Sequence, residues 1–127
     1  MKLPQGQNTK QVGDAAEAEA LEHLQRAGLR LVMRNYRTPG RGGGEIDLFM
    51  HAPDGTLVFV EVRRRSRASH GGAGASISAV KQRRIVFAAR HYLLRLGKEP
   101  PCRFDVVLID EGAEPRTTWL QAAFDAG

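Results

Sequence analysis

Three ionisable residues stand inside two apolar stretches of the sequence, where an unpaired charge costs several kcal/mol. Asp47 lies in the stretch GEIDLFM, and Glu61 and Arg63 lie in the stretch LVFVEVR. Two carboxylates that converge beside a cation form a site for Mg²⁺ or Mn²⁺, because these hard ions prefer oxygen ligands. Such a site supports phosphodiester hydrolysis: the metal ion lowers the pKa of the attacking water, and the cation stabilises charge that develops on the phosphate. We therefore predict Asp47, Glu61 and Arg63 as catalytic residues and the two acids as metal ligands.

The turn between the two stretches decides whether the carboxylates meet. The residues Ala52-Pro53-Asp54-Gly55 fit a type I turn followed by a positive-φ glycine, which is typical of a three-residue hairpin loop with a bulge. If Ala52 pairs with Thr56, Asp47 lies opposite Glu61. A two-residue loop would shift the register by one residue and separate the carboxylates. We favour the three-residue loop.

The elements around this hairpin predict an α/β fold. Both hairpin strands are apolar on both faces, so they should lie inside a mixed sheet that is covered by helices on each side. The other predicted elements are a helix over Gly13–Ala27, an edge strand over Leu29–Tyr36, a helix over Ser76–Leu96, a strand over Arg103–Asp110 and a strand or turn over Thr117–Phe124. A chain of 127 residues is long enough for one core. We expect a flexible N-terminus over residues 1–12 and one domain over residues 13–127.

Some residues in these elements are expected to be structural. We expect Cys102 to be a small buried apolar residue, and we favour a structural role for Asp105 over a place in the acidic site. The helical period of the second helix predicts a stripe that faces the core. Its members are Ile77, Val80, Phe87, His91 and Leu94, widened by Ile85, Ala88, Ala89 and Tyr92.

The charge of the chain favours a polyanionic partner. The net charge is +5, and arginines cluster around the acidic pair. For each of these residues a solvated surface position is the alternative. The glycine-rich segment TPGRGGG is followed by a strand, not by a helix, so it is not a nucleotide-binding loop; it is either a mobile basic loop along a nucleic-acid backbone or a plain connector. The candidates for nucleic-acid binding are Arg34, Arg37, Arg41, Arg64, Arg65, Arg67, Lys81 and Arg84.

Several other classes of protein are disfavoured. A single cysteine excludes an internal disulfide and a cysteine-based zinc site. The histidines lack the spacing of zinc ligands, and no serine lies in a nucleophile elbow. The basic surroundings and few aromatic residues argue against a glycosidase. No apolar run reaches membrane-spanning length and the first ten residues lack a signal-peptide core, so we expect a cytoplasmic protein without a membrane partner.

Four motifs follow the N-terminal helix in a specific order. They are RNYR at 34–37, GEIDL at 44–48, FVEVRRR at 59–65 and RFDVV at 103–107. With these motifs the chain resembles the YraN-like family of small bacterial proteins over roughly Gly13–Phe124. The resemblance implies a restriction-endonuclease-like fold with an α-β-β-β-α-β core, similar to archaeal Holliday junction resolvases. It also implies a Mg²⁺- or Mn²⁺-dependent nuclease acting on DNA, a homodimer, and the metal ligands Glu17, Asp47 and Glu61.

The chain departs from this family at the cation. Arg63 stands where the family has lysine; it keeps the charge, but it has a different shape and cannot be deprotonated. A non-catalytic nucleic-acid-binding protein with Arg63 as a phosphate clamp is therefore the main alternative to a nuclease, and a protein-interaction scaffold is a third. Lys81 could substitute for the lysine, but we expect it on the helix surface.

Overall fold

A computed structural model of the protein describes residues 9–65, 77–112 and 114–126. The elements are α1 (Thr9–Arg26), β1 (Arg30–Arg37), β2 (Glu45–His51), β3 (Leu57–Arg65), α2 (Ala79–Leu96), β4 (Cys102–Asp110) and β5 (Arg116–Phe124). The predicted α/β fold with its α-β-β-β-α-β core is confirmed, and the closing segment is a fifth strand. Helix α1 begins at Thr9 and not at Gly13, so residues 9–12, which were predicted to belong to a flexible N-terminus, are part of the helix. Residues 1–8 lie outside the described ranges.

The five strands form one mixed sheet in the order β1-β2-β3-β4-β5. Strands β1, β2 and β3 are antiparallel neighbours, β3 and β4 are parallel, and β5 returns antiparallel to β4. A parallel pair needs a long crossover connection, and α2 lies in that connection. Within the described residues, no helix is both long enough and apolar enough to cross a membrane.

The hairpin of β2 and β3 has the predicted register. The amide of Ala52 donates to the carbonyl of Thr56 at 2.9 Å, and the amide of Gly55 donates to the carbonyl of Ala52 at 2.9 Å. Gly55 has a φ of +92°, a backbone conformation that residues other than glycine rarely adopt. The paired residues run from His51 with Leu57 to Leu48 with Val60. The next two residues in this register are Asp47 and Glu61, so the three-residue loop is confirmed.

The sheet is covered by one helix on each side. The apolar side of α1 packs with one set of strand residues, and the apolar side of α2 packs with another. The α1 layer contains Ala16, Ala20, Leu24, Leu48, Met50, Val58 and Val60, and the α2 layer contains Ile85, Ala88, Ala89, Ile46, Phe49, Phe59 and Phe104. Burial on both sides explains why the paired parts of β2 and β3, from Leu48 to Met50 and from Leu57 to Val60, are apolar on both faces.

The predicted core stripe of α2 is partly wrong. Val80, Phe87 and Leu94 are 51%, 52% and 82% exposed. Helix α2 carries two apolar stripes, and the helical period alone does not say which one faces the core. His91 lies at the edge of the core as predicted, where its Nδ1 shares a hydrogen bond of 2.5 Å with the hydroxyl of Tyr36.

Two single residues on β4 also test the sequence analysis. Cys102 is exposed, so the prediction of a buried cysteine is wrong; it is the first residue of β4 and precedes the buried part of that strand, which begins at Phe104. Asp105 is fully buried and has the structural role that we favoured. It accepts hydrogen bonds from Nε1 of Trp119 (2.8 Å), from the amide of Ala122 (2.9 Å) and from Nε of Arg103 (3.1 Å).

Candidate functional site

The structure brings Asp47 and Glu61 together just beyond the pair Leu48 with Val60, at which the pairing of β2 with β3 ends. Both are buried, with exposures of 9% and 7%. Oδ2 of Asp47 accepts a hydrogen bond of 2.8 Å from the amide of Val62. This bond fixes Asp47 against the strand that carries Glu61, so the register of the hairpin is what creates the acidic pair.

The cation that meets this pair is Lys81, not Arg63. Nζ of Lys81 lies 3.2 Å from Oε2 of Glu61, and the lysine side chain remains 44% exposed. Lys81 belongs to the first turn of α2, and its amide donates to Oγ of Ser78, the residue that caps the helix. Arg63 forms no ion pair with either carboxylate within the described part of the chain. Lys81 lies at the helix surface as expected, and it also reaches the acidic pair from another element.

Burial makes the acidic pair hard to ionise. Desolvation, followed by the charge of Asp47, raises the pKa of Glu61 to about 8, and Lys81 opposes the shift. Desolvation also raises the pKa of Asp47, and the hydrogen bond from Val62 opposes that shift. The Oε1 atom of Glu61 is buried and has no hydrogen-bond partner among the described residues. Without a metal ion, the pair therefore holds a proton near neutral pH, because two adjacent buried carboxylates cannot both ionise readily.

This pKa shift predicts how the metal-free protein responds to pH. A carboxyl group with a raised pKa in the folded state stabilises the fold at low pH, and this stability is lost as pH rises. For Glu61 the loss should begin near its ordinary pKa of 4.5 and continue to about 8, at up to about 1.4 kcal/mol per pH unit. Glu61→Gln should remove this loss, so the variant should be the more stable protein at pH above about 8. Urea denaturation in EDTA across this range measures it.

Glu45→Gln is the matched control, because Glu45 begins β2, the strand that pairs with the strand of Glu61, and its side chain is 46% exposed. It should keep the pH dependence of the unsubstituted protein. The free energy of unfolding of the unsubstituted protein could instead stay level or rise with pH, and Glu61→Gln could leave it unchanged. That result would contradict the prediction that the acidic pair holds a proton.

The two carboxylates fit a hard divalent cation, but the predicted set of three acids is not assembled. A Mg²⁺ site commonly uses one or two carboxylates together with water and substrate phosphate oxygens. Oε1 of Glu61, which has no hydrogen-bond partner among the described residues, and the carboxylate of Asp47 can be the two carboxylate ligands. Among the described residues, no three Asp, Glu, His or Cys side chains surround a common point. Glu17 therefore does not join Asp47 and Glu61 as a third ligand in this arrangement.

Glu17 lies in a polar cluster with β1. Its Oε1 is 3.7 Å from Nη2 of Arg34. When the amide nitrogen of Asn35 points towards Glu17, it donates to both carboxylate oxygens at 3.1 and 3.2 Å. Desolvation, followed by the charge of Asp47, raises the pKa of Glu17 to about 7. Glu17 thus interacts electrostatically with the acidic pair without adjoining it as a ligand.

Asn35 was missed by the sequence analysis. It has a φ of +53° within strand β1. Asparagine tolerates this left-handed conformation better than most residues, and an asparagine inside a strand that is otherwise basic and apolar was the available signal. The conformation places its amide where it can donate to Glu17.

Most of the predicted phosphate-binding arginines already have carboxylate partners. Arg65 binds Asp110 through two hydrogen bonds of 2.6 and 3.0 Å, and Arg64 forms an ion pair with Glu111. Longer pairs join Arg34 to Glu17 and Arg37 to Glu45, each at 3.7 Å. Arg41 and Arg84 are exposed, and Arg67 lies outside the described residues. Nucleic-acid binding by these arginines stays a prediction.

The glycine-rich loop is tied to α2. The amide of Thr38 donates to the carbonyl of Gly44 at 3.0 Å, and the amide of Gly44 donates to Oγ1 of Thr38 at 2.7 Å. Gly44 packs so closely on α2 that a Cβ atom there would lie 1.9 Å from the carbonyl oxygen of Arg84. The loop that carries Arg41 is therefore held against the helix that carries Lys81.

Comparison with known proteins gives a consistent result over most of the chain. A family model described as "Uncharacterised protein family UPF0102" matches residues 16–109. A "UPF0102 protein" of Albidiferax ferrireducens is 72% identical over 118 residues, which cover 93% of this chain and 90% of that protein. Another, of Polaromonas naphthalenivorans, is 68% identical over 130 residues, covering 98% and 85%. The matched range of the family model includes Glu17, Asp47, Glu61 and Lys81.

Proposed function

We propose that the chain, which belongs to the family UPF0102 as its YraN-like motifs predicted, hydrolyses phosphodiester bonds of DNA at the Asp47–Glu61 pair with a divalent metal ion. The observation that supports this most directly is Oε1 of Glu61, which is buried without a hydrogen-bond partner among the described residues. A carboxylate oxygen in this state, beside a second buried carboxyl group, is a position where Mg²⁺ or Mn²⁺ would offset the cost of desolvation. The resemblance to junction resolvases extends the proposal to branched DNA.

Asp47 and Glu61 would hold the metal ion, which when bound supplies a water of lowered pKa and positive charge at the phosphate. Lys81 acts from the other side of Glu61. Its ammonium nitrogen lies 3.2 Å from Oε2 and its side chain is 44% exposed, so it can contact both the acid and a phosphate that enters from solvent. The first turn of α2 adds the partial positive charge of a helix N-terminus. Together they place positive charge where a phosphate gains negative charge during cleavage.

Two observations favour a second candidate function, nucleic-acid binding without cleavage. Arg63 stands where related motifs have lysine, and no third acid adjoins the pair among the described residues. A protein of this kind would bind DNA through its basic surface, and its affinity would fall with salt. It would not cut DNA in the presence of Mg²⁺ or Mn²⁺.

The experiment that tests the proposed function measures metal binding and cleavage on the same variants. We expect Mn²⁺ to bind the unsubstituted protein in titration calorimetry, and Asp47→Asn and Glu61→Gln each to abolish that binding. The same two variants should lose cleavage of a labelled four-way DNA junction. Glu45→Gln is the control for a nearby exposed carboxylate and should retain both properties. Metal binding without cleavage would favour the binding protein, and no metal binding would overturn the metal site.

A further inference from the structure

The outward side of α2 carries a line of three exposed apolar residues. Val80, Phe87 and Leu94 are spaced by seven residues and are 51%, 52% and 82% exposed. With about 100° of rotation per residue, residues seven apart lie nearly on one line along a helix. The same rotation places this line on the opposite side of α2 from the buried Ile85 and Ala89. We call Val80, Phe87 and Leu94 the α2 seam.

Arginines flank the α2 seam on both sides. By helical rotation, Arg83 and Arg90 lie along one side of the line and Arg84 and Arg95 lie along the other, and the sequence of α2 contains no acidic residue. Arg83 and Arg90 line a groove beside Phe87, together with Val86 from the helix and Asp125 from the end of the chain. Arg90 also lines a second groove beside Leu94, with Leu93, Lys98 and Glu99. The surface is therefore a narrow apolar line between two basic rows, with one carboxylate at the rim of each groove.

This pattern matches one kind of partner. Apolar residues at every seventh position occupy one of the two apolar positions of a coiled-coil heptad, and charged residues beside such positions select partners of opposite charge. A second copy of the chain that packed its own α2 here would bring like charges together. Phosphates of DNA would use the arginines but would gain nothing from a leucine that is 82% exposed. A membrane-binding helix presents a broad apolar face, which one line of residues does not provide.

We propose that the α2 seam docks an acidic amphipathic helix of a partner protein. The apolar side chains of this partner helix fill the grooves beside Phe87 and Leu94. Its acidic residues pair with Arg83 and Arg90. The seam lies on the side of α2 that faces away from the core, whereas Lys81 reaches the acidic pair, so docking leaves the proposed cleavage site open.

The test uses a fluorescein-labelled helical peptide of three heptads with leucine at the a and d positions and glutamate at the e and g positions. Anisotropy should show saturable binding to the full chain that weakens as salt increases. The double variant Phe87→Ser/Leu94→Ser should weaken binding at least tenfold, and both changes lie at exposed positions, so the fold should persist. Leu31→Ser is the matched control, because Leu31 is an exposed apolar residue on β1, and it should bind as the unsubstituted protein does.

Charge reversal supplies an independent arm. Arg83→Glu/Arg90→Glu should lose the acidic peptide and gain a peptide with lysine at e and g, as charge pairing requires. Metal binding and junction cleavage should be unchanged in the seam variants, so this inference does not depend on the proposed function. The proposal is overturned if the acidic peptide does not bind or binds the seam variant equally. It is also overturned if the seam substitutions instead remove self-association, binding to phosphatidylglycerol vesicles or binding to DNA.

Discussion

Replacing Lys81 with methionine is expected to reduce the proposed metal-dependent cleavage of DNA by about 100-fold or more, the size of effect seen when one preorganised charge-stabilising group is removed from an active site. The reason is its position: Nζ lies 3.2 Å from Oε2 of Glu61, so the ammonium group adjoins the acidic pair that would hold the metal ion. Arg63→Met should have a much smaller effect, because Arg63 makes no ion pair with the acids within the described ranges. Arg63→Lys should likewise change cleavage little, since the site already has a lysine.

The measurement is single-turnover cleavage of a labelled four-way junction, together with Mn²⁺ titration of each variant. Lys81→Met should bind Mn²⁺ at least as tightly as the unsubstituted protein, because the metal ion no longer competes with an ammonium group for Glu61. A loss of cleavage with metal binding intact would therefore separate a role in the chemistry from a role in assembling the site. If Arg63→Met abolished cleavage while Lys81→Met did not, the assignment of the cation would be wrong.

Replacing Gly44 with alanine is expected to destabilise the fold by about 3 kcal/mol, the upper end of the range for added atoms in a packed site. A Cβ atom at this position would lie 1.9 Å from the carbonyl oxygen and 2.8 Å from the carbonyl carbon of Arg84. Both atoms belong to the backbone of α2, so no side-chain rotation can relieve the overlap. The glycine-rich loop and the helix that carries Lys81 would have to separate. Urea denaturation, read by circular dichroism, measures the change.

Gly13→Ala is the matched control for this prediction. Gly13 lies inside α1, and a Cβ atom there would meet no other atom within 4 Å. Because alanine favours helix over glycine by about 1 kcal/mol, this variant should be as stable as the unsubstituted protein or more stable. A Gly44→Ala variant that unfolded at the same urea concentration as the unsubstituted protein would show that the loop does not pack on α2.

The Asp47–Glu61 pair was predictable from the sequence, because it depends on residues that are close together in the chain. Turn chemistry is local, so the residues from Ala52 to Gly55 were enough to predict the three-residue loop and with it the register of β2 and β3. Counting back from the Ala52–Thr56 pair then placed Asp47 opposite Glu61 without any knowledge of the other elements. The burial of both acids followed from the apolar residues around them in each strand.

The remaining features depend on how elements far apart in the sequence meet. Arg64 and Arg65 appeared available for phosphate, but the parallel pairing of β3 with β4 sets Arg65 beside Asp110 and brings Arg64 near Glu111. The Asn35–Glu17 contact likewise joins β1 to α1. A sequence pattern lists charges along the chain and cannot show which of them are neutralised by a partner on another strand.

The sequence by itself determined the α/β class, the hairpin register and the acidic pair, because each follows from contacts between residues close together in the chain. Only the tertiary structure decided that Lys81 and not Arg63 faces Glu61, and that Val80, Phe87 and Leu94 point away from the core. Both outcomes depend on the rotation of α2 about its axis. That rotation is fixed by the packing of Ile85, Ala88 and Ala89 on the sheet and by the close contact of Gly44 with Arg84, and these contacts exist only once the chain has folded.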